Sequence, residues 1–429
     1  MTIATMAETT IFARRESEAR SYCRGFDRVF TTASGSEMTD NTGRSYIDFL
    51  AGCASLNYGH NDPDMKAALI DHIGGDGIAH GLDLHTTAKA GFLGAFERHI
   101  LRPRGMDHRV MFTGPTGANA VEAAMKIARK VTGRSNIIAF TNGFHGVTIG
   151  ALAATGNGYH RGGAAMPLGG VTRLPYDGYM NDAVDSADLL EAMLGDPSSG
   201  LDAPAAIILE TVQGEGGLNA ARPEWLRRVA DLAKAHGALL IIDDIQAGCG
   251  RTGTFFSFED MGITPDIVTL AKSISGFGLP MAVMLVRPMH DVFGPAEHNG
   301  TFRGNTHAFV TARIAIEKFW ADGKFQADIA RKSAILTEGL EDIAALVPDA
   351  TLKGRGMMQG VDTGCGERAA AICSEAFQRG LIIETSGPND EVVKVLAPLT
   401  TSDALLRQGL EILHAATNST MTQSSHAAE

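Results

Sequence analysis

The sequence predicts an α/β fold: a mostly parallel, doubly wound sheet joined by a second, smaller α+β domain. Three observations predict it. Short apolar runs without polar alternation recur at 110–112, 137–140, 206–209, 239–242, 267–271 and 282–286, the pattern of strands buried on both faces. Amphipathic helical patterns fall between several of these runs, as strands that alternate with helices require. The chain has 429 residues, enough for two or three domains or for one large unit with a satellite.

Taken in order, the first element is a hairpin over 38–49 whose turn, Asp40-Asn41-Thr42-Gly43, supplies residues that tolerate positive φ. The 110–112 strand leads into a helix over 118–130. Ala118, Val121, Met125 and Ala128 share one face of it, Glu122 and Lys126 pair at i,i+4, and Gly133 stops it. Between the 206–209 and 239–242 strands, a helix over 224–236 is built on Trp225, Leu226, Val229 and Leu232 and closed by Gly237. After about residue 310, helices are expected at 312–320, 328–346 and 367–378, with strands at 357–360 and 392–396. The expected division is therefore an N-terminal segment, 1–60, that joins the small domain; a large domain, 61–315; a C-terminal small domain, 316–416; and a polar, unpatterned tail, 417–429, expected to be disordered. The sequence contains no internal repeat.

Lysine and arginine total 37 against 49 aspartate and glutamate, a formal charge of −12, so neither a nucleic-acid nor an anionic-membrane partner has overall electrostatic support. A small anionic ligand needs a local site instead. Cys23, Cys53, Cys249, Cys365 and Cys373 are widely spaced and odd in number, which suggests neither a disulfide framework nor a zinc site. Residues 1–15 include Glu8 and no apolar stretch of signal-peptide length, and no run approaches a membrane span. A cytoplasmic protein is expected.

Ligands of open parallel sheets gather at the carboxyl ends of the strands, which gives weight to the polar residues placed there. Gly114-Pro115-Thr116-Gly117-Ala118-Asn119 joins a strand to a helix N-terminus, where free N–H groups and the helix dipole favour a phosphate. Asp243 ends the 239–242 run, Lys272 ends the 267–271 run ahead of Gly276-Phe277-Gly278, and Phe144-His145 follow the 137–140 run. Each alone has a bland reading: an uncommitted glycine turn, a helix cap, a surface lysine, a core ring. Together they supply what pyridoxal 5'-phosphate needs: a lysine for a Schiff base, a carboxylate facing the pyridine nitrogen, a phosphate cradle and a flat apolar face.

The order and surroundings of these motifs resemble the class III pyridoxal-phosphate aminotransferases over about residues 12–413. The most specific segments are Glu210-Thr211-Val212-Gln213-Gly214-Glu215-Gly216-Gly217 and Gly300-Thr301-Phe302-Arg303-Gly304-Asn305. The resemblance implies the fold type I of such enzymes and a catalytic pair, Lys272 and Asp243, with Lys272 also moving the substrate proton. It further implies that Thr116, Gly117 and Ala118 hold the phosphate, that Phe144 stacks on the ring with His145 beside it, and that Gln246 bonds the phenolic oxygen. Thr301 would complete the phosphate site of the neighbouring subunit, so a homodimer or higher homo-oligomer is implied. A monovalent cation such as potassium is a further cofactor candidate, and no metal site is expected.

Two positions depart from the family pattern. Asn119 stands where many relatives have an acid, and Lys394 stands where they have an arginine that pairs with the substrate carboxylate or with the glutamate matching Glu215. Lysine lacks the bidentate fork of arginine, which leaves Arg303 as an alternative guanidinium beside Glu215 and Lys394 as substrate contacts. The implied substrates are L-glutamate and L-aspartate 4-semialdehyde, with ornithine, acetylornithine or 4-aminobutyrate enzymes and an aminomutase as rivals. A non-enzymatic effector sensor of the same fold is disfavoured because 1–45 shows no basic excess, and a nicotinamide dehydrogenase because no Gly-x-Gly-x-x-Gly follows a predicted strand.

Overall fold

The computed structural model describes residues 11–180 and 184–428, with backbone alone over 424–428. Residues 1–10 of the expected N-terminal segment, and Glu429 of the expected tail, lie outside the described residues. The N-terminal strands β1 (Phe30–Ser34), β2 (Glu37–Asp40) and β3 (Ser45–Asp48) form a meander. Its β2–β3 turn falls where predicted, with Asp40 Oδ1 accepting from the Thr42 N–H and hydroxyl and from the Arg44 N–H.

The large sheet contains β4 (Arg109–Phe112), β5 (Asn136–Phe140), β6 (Val171–Leu174) and β7 (Pro204–Leu209). The short strands β8 (Val212–Gln213) and β9 (Asn219–Ala220) form a separate hairpin. Next come β10 (Leu239–Asp243), β11 (Ile267–Leu270) and β12 (Val283–Val286), giving a seven-stranded order of β4-β12-β11-β10-β7-β5-β6. All neighbours are parallel except β12, which runs antiparallel to both β11 and β4; its residue Val283 pairs with Leu270 on one side and Phe112 on the other. The segment between β11 and β12 contains only one 3-10 turn, Lys272–Ser275, and so no crossover helix that a parallel return would need. The edge strand β6, Val-Thr-Arg-Leu, escapes sequence reading because a half-covered edge has no continuous apolar run.

Why the central strands are apolar throughout is visible in their packing. Ile138, Phe140, Ile207, Leu209, Leu240, Ile242, Val268 and Leu270 enter one core with Phe92, Trp225 and Phe309. The intervening Ile137, Ala139, Ile208, Ile241 and Ile267 enter a second core under the helix Gly117–Thr132. Period-two side chains therefore meet helices on both faces, and each buried aliphatic residue contributes roughly 1.5–3 kcal/mol.

The C-terminal part contains β13 (Thr351–Arg355), β14 (Met358–Asp362), β15 (Leu381–Ile382), β16 (Glu384–Ser386) and β17 (Val392–Val395). Four of these form the sheet β13-β14-β17-β16, while β15 pairs in parallel with β3 and ties the N-terminal meander to this part of the chain. The helix Thr306–Phe319 begins six residues before the predicted start because Asn305 caps it, accepting from the His307 and Ala308 N–H groups. The expectation of a disordered 417–429 tail is corrected: the last helix spans Asp403–Ala428, with Thr417 and Thr420 buried and their hydroxyls bonded to the Leu413 and Ala416 carbonyls. Threonine that satisfies its hydroxyl one turn back can face a protein interior, so polar composition alone misleads there.

Candidate active site

The carboxyl ends of β4, β5, β7, β10 and β11 converge on a cavity of about 580 Å³. At the first of them, the helix Gly117–Thr132 begins with Thr116 as its N-cap residue, so the first-turn N–H groups point outward at the positive end of the helix dipole. The Thr116 hydroxyl donates to Asn119 Oδ1 at 3.0 Å, and the Thr116 N–H approaches the same oxygen at 3.4 Å. A neutral amide thus closes this loop. Gly117 lets the loop lie close against Ile245: an added Cβ would stand 2.9 Å from Ile245 Cδ1, which would have to shift.

Beyond β5, the chain turns through Asn142 at φ +61° and delivers Phe144 and His145 to the cavity. His145 Nδ1–H donates to Asp243 Oδ2 at 2.7 Å, both side chains being buried. Asp243 Oδ1 accepts from the Thr269 hydroxyl at 3.1 Å and from the Ile245 N–H at 3.3 Å. Burial alone disfavours a charged His145, but its hydrogen bond to Asp243 and the nearby charges of Asp243 and Glu210 outweigh that, so its pKa lies above the ordinary range.

Glu210, at the end of β7, is a site residue that the sequence reading did not assign. Its carboxylate accepts from the Phe144 N–H at 2.9 Å and from the Gly214 N–H at 3.2 Å, clasping the two loops that carry Phe144 and Glu215. Burial pushes its carboxyl up to about 7, against the pull of His145 and with the push of Asp243. The rule that found Asp243, an acid directly after an apolar strand, could have found it in Ile207-Ile208-Leu209-Glu210.

Lys272 follows β11 with φ +52°, a left-handed conformation that costs a non-glycine residue about 1 kcal/mol or more. Its Nζ makes no hydrogen bond or ion pair among the described residues, and the side chain lines the cavity. Gln246 also lines it, donating from Nε2 to Glu215 Oε1 at 2.9 Å. The other end of that amide, Oε1, is buried without a partner among the described residues, against Gly214, where an added Cβ would overlap it.

The cavity also takes Ala118 and Glu215 of the predicted residues. Lys394 stands behind Glu215, wholly buried, with Nζ 3.1 Å from Glu215 Oε1 and 2.9 Å from Glu384 Oε1. Burial works against the Glu215 charge, but Lys394 and Lys272 more than reverse it and hold the carboxyl down at about 2. Glu384 had no sequence signal: it meets Lys394 only through the β16–β17 register, where the two are direct partners. Thr301 and Arg303 are not brought to this chain's cavity. Thr301 is exposed, and the half-exposed Arg303 approaches the His298 carbonyl and Asn299 Oδ1 at 3.4 and 3.5 Å.

Comparison with known proteins supplies an independent reading of this arrangement. The family model described as aminotransferase class-III matches residues 20–417. A diaminobutyrate–2-oxoglutarate transaminase of Halalkalibacterium halodurans is 56% identical over 408 residues, covering 95% of each chain. One of Halomonas elongata is 53% identical over 415 residues, covering 96% of this chain and 99% of its own. Among solved structures, the ornithine aminotransferase of Toxoplasma gondii superposes with a TM-score of 0.85 at 25% identity, covering 98% of this chain and 96% of that one.

Proposed function

Because the chain belongs to the class III aminotransferases, we propose that it moves the amino group of L-glutamate to L-aspartate 4-semialdehyde, giving L-2,4-diaminobutyrate and 2-oxoglutarate. The observation that carries the substrate reading is identity above one half, over nearly the whole chain, to transaminases named for that reaction. This would be the first committed step of ectoine biosynthesis. Ornithine enzymes share the fold at much lower identity, which supports the shared chemistry rather than their substrate.

The family implies pyridoxal phosphate, and the donor set of the cavity fits it: an amine at Lys272 with no partner among the described residues, an outward helix N-terminus at Thr116–Ala118, and a buried carboxylate at Asp243. When bound, the cofactor supplies a conjugated ring that draws electrons from the substrate carbon bearing the reacting nitrogen. The chain supplies the rest. Lys272 Nζ takes a proton from that carbon and returns it at the other end of the exchange. The N–H groups of Gly117 and Ala118, with the Thr116 hydroxyl, bind the phosphate. Asp243, which accepts from three donors, would stabilise a positive charge on the ring nitrogen, and His145 holds its orientation. Phe144 walls one side of the cavity and offers an apolar face to the ring.

The active assembly is a homodimer in which Thr301, exposed and outside its own chain's cavity, serves the partner's phosphate site. The large domain spans 61–315, and the N-terminal segment 1–60 belongs with the small domain 316–416, a division supported by the pairing of β15 with β3 within its described residues. A cytoplasmic setting is supported by five free cysteines. Among the described residues, no helix is long and apolar enough to cross a membrane. Potassium dependence is checked by assays with and without the ion. The deciding experiment supplies glutamate with a panel of ω-aldehydes and identifies the products. The reading requires 2,4-diaminobutyrate and 2-oxoglutarate in equal amounts from aspartate semialdehyde, at a higher rate than with the other aldehydes.

A further inference from the structure

Behind the part of the cavity wall that Glu215 forms, three charged groups are joined. Glu384, on β16, is the register partner of Lys394 on β17, so the backbone ladder itself holds their side chains together. Lys394 is wholly buried and divides its ammonium between Glu384 at 2.9 Å and Glu215 at 3.1 Å. Both contacts of Glu215, from Lys394 and from Gln246 Nε2, go to Oε1. Its Oε2 has no partner among the described residues, and the side chain, 31% exposed, lines the cavity. Among the described residues, the remaining groups around Glu384 add no cation: Cys53 Sγ lies 3.7 Å away, itself bonded to Tyr22 Oη, and burial pushes that thiol up to about 11, leaving it neutral. Among the described residues, Lys272 is the other positive group that acts on both carboxyls, and its amine is the one proposed to hold the cofactor.

Two carboxylates therefore share one resident ammonium, and of the two it is Glu215 that lines the cavity. An anionic group placed there meets net negative charge, whereas an ammonium completes the balance. From this geometry we infer that Glu384 is a specificity-determining positioning residue: by occupying Lys394 it frees Glu215 to receive the second, non-reacting ammonium of a diamino acid substrate. This rests on the proposed transaminase reading and names what that site selects. In 2,4-diaminobutyrate, the terminal amine would face Lys272 while the 2-ammonium meets Glu215 Oε2. A monoamine of the same chain length has nothing to offer that oxygen. Direct partnership across a strand pair also explains why a lysine suffices at 394. Its task is to anchor one carboxylate and stay in place, for which a single-point charge held from two sides is adequate.

The probe is 4-aminobutyrate, which is 2,4-diaminobutyrate without its 2-amino group. The wild-type holoenzyme should prefer the diamino acid in kcat/KM, and Glu384→Gln, which keeps the contact with Lys394 but removes the charge, should narrow that ratio about tenfold through KM. Glu384→Asp should keep most of the preference. Calorimetric titration of cofactor-free enzyme with the two amines should show the same narrowing without turnover. An unchanged ratio in a Glu384→Gln protein that still holds cofactor overturns the inference, as does an equal loss toward both amines. Should Glu384→Gln fail to fold, Glu215→Gln must show the same narrowing, and its failure to do so overturns the inference equally. Wild-type enzyme that does not turn over 2,4-diaminobutyrate overturns the functional reading instead, while the equilibrium preference between the amines still decides the role of Glu384.

Discussion

At the scale of single residues, the site divides its labour among groups whose charges are fixed by their neighbours. Asp243 accepts from His145, Thr269 and the Ile245 backbone, so Asp243→Asn removes charge with little change of shape. Its transamination rate should fall by at least ~10²-fold, the low end for a preorganised electrostatic partner, as read by stopped-flow cofactor absorbance. Lys272→Ala should retain cofactor binding through the Thr116–Ala118 cradle yet lose transamination; turnover like that of the wild type would end its assignment as the base. Glu210 and His145 make a third prediction, about pH. The Glu210 carboxyl sits at about 7 against an ordinary 4.5, and His145 also lies above its ordinary value, so the folded chain holds protons that the unfolded chain releases. Stability should therefore decline as pH rises from about 4.5 through neutrality, by at most ~1.4 kcal/mol per unit for each group. Glu210→Gln should flatten that decline in denaturant titrations at one saturating cofactor concentration.

At the scale of elements, the last helix offers the sharpest test, because its polar sequence and its buried position disagree. It packs against the helices Lys324–Ala344 and Gly366–Gln378, burying Leu413, Ala416 and Thr417. Truncation after Thr420 should leave the melting temperature nearly unchanged, whereas truncation after Ala415 should cost at least ~1 kcal/mol and lower it measurably. This contrast shows what kind of element a sequence reveals. The central strands were legible because two helical layers force every position to be apolar, and Asp243 and Lys272 stood out as the polar residues that end such runs. Glu210 obeys the same rule and was readable. Glu384 was not, since its meeting with Lys394 depends on strand register, which brings together residues with no local pattern. The edge strand β6 and the threonine-bearing helix end were hidden for a related reason: partial cover and internally satisfied hydroxyls both permit polar residues within regular structure.

For the whole molecule, the exposure of Thr301 outside its own cavity yields a mixing experiment. Lys272→Ala and Thr301→Ala proteins, each impaired, should regain activity on subunit exchange, because the heterodimer holds one site with both lesions and one with neither. No recovery despite verified exchange would mean that Thr301 serves its own chain. The reversed strand β12 has a different kind of consequence. Because Val283 pairs with Leu270 on one side and Phe112 on the other, the strand that leads to Lys272 and the strand that leads to the Thr116–Ala118 loop stand two ladder spacings apart, roughly 10 Å. That span is a gauge cut in backbone hydrogen bonds, which no side-chain substitution lengthens or shortens. At the opposite jaw the β16–β17 register fixes which positions meet, but the side chains at those positions, Glu215 and Glu384 around a lysine, can be refitted residue by residue. A lineage built on this frame can exchange one amine for another at the adjustable jaw while the reacting nitrogen stays at the same calibrated distance from its anchor.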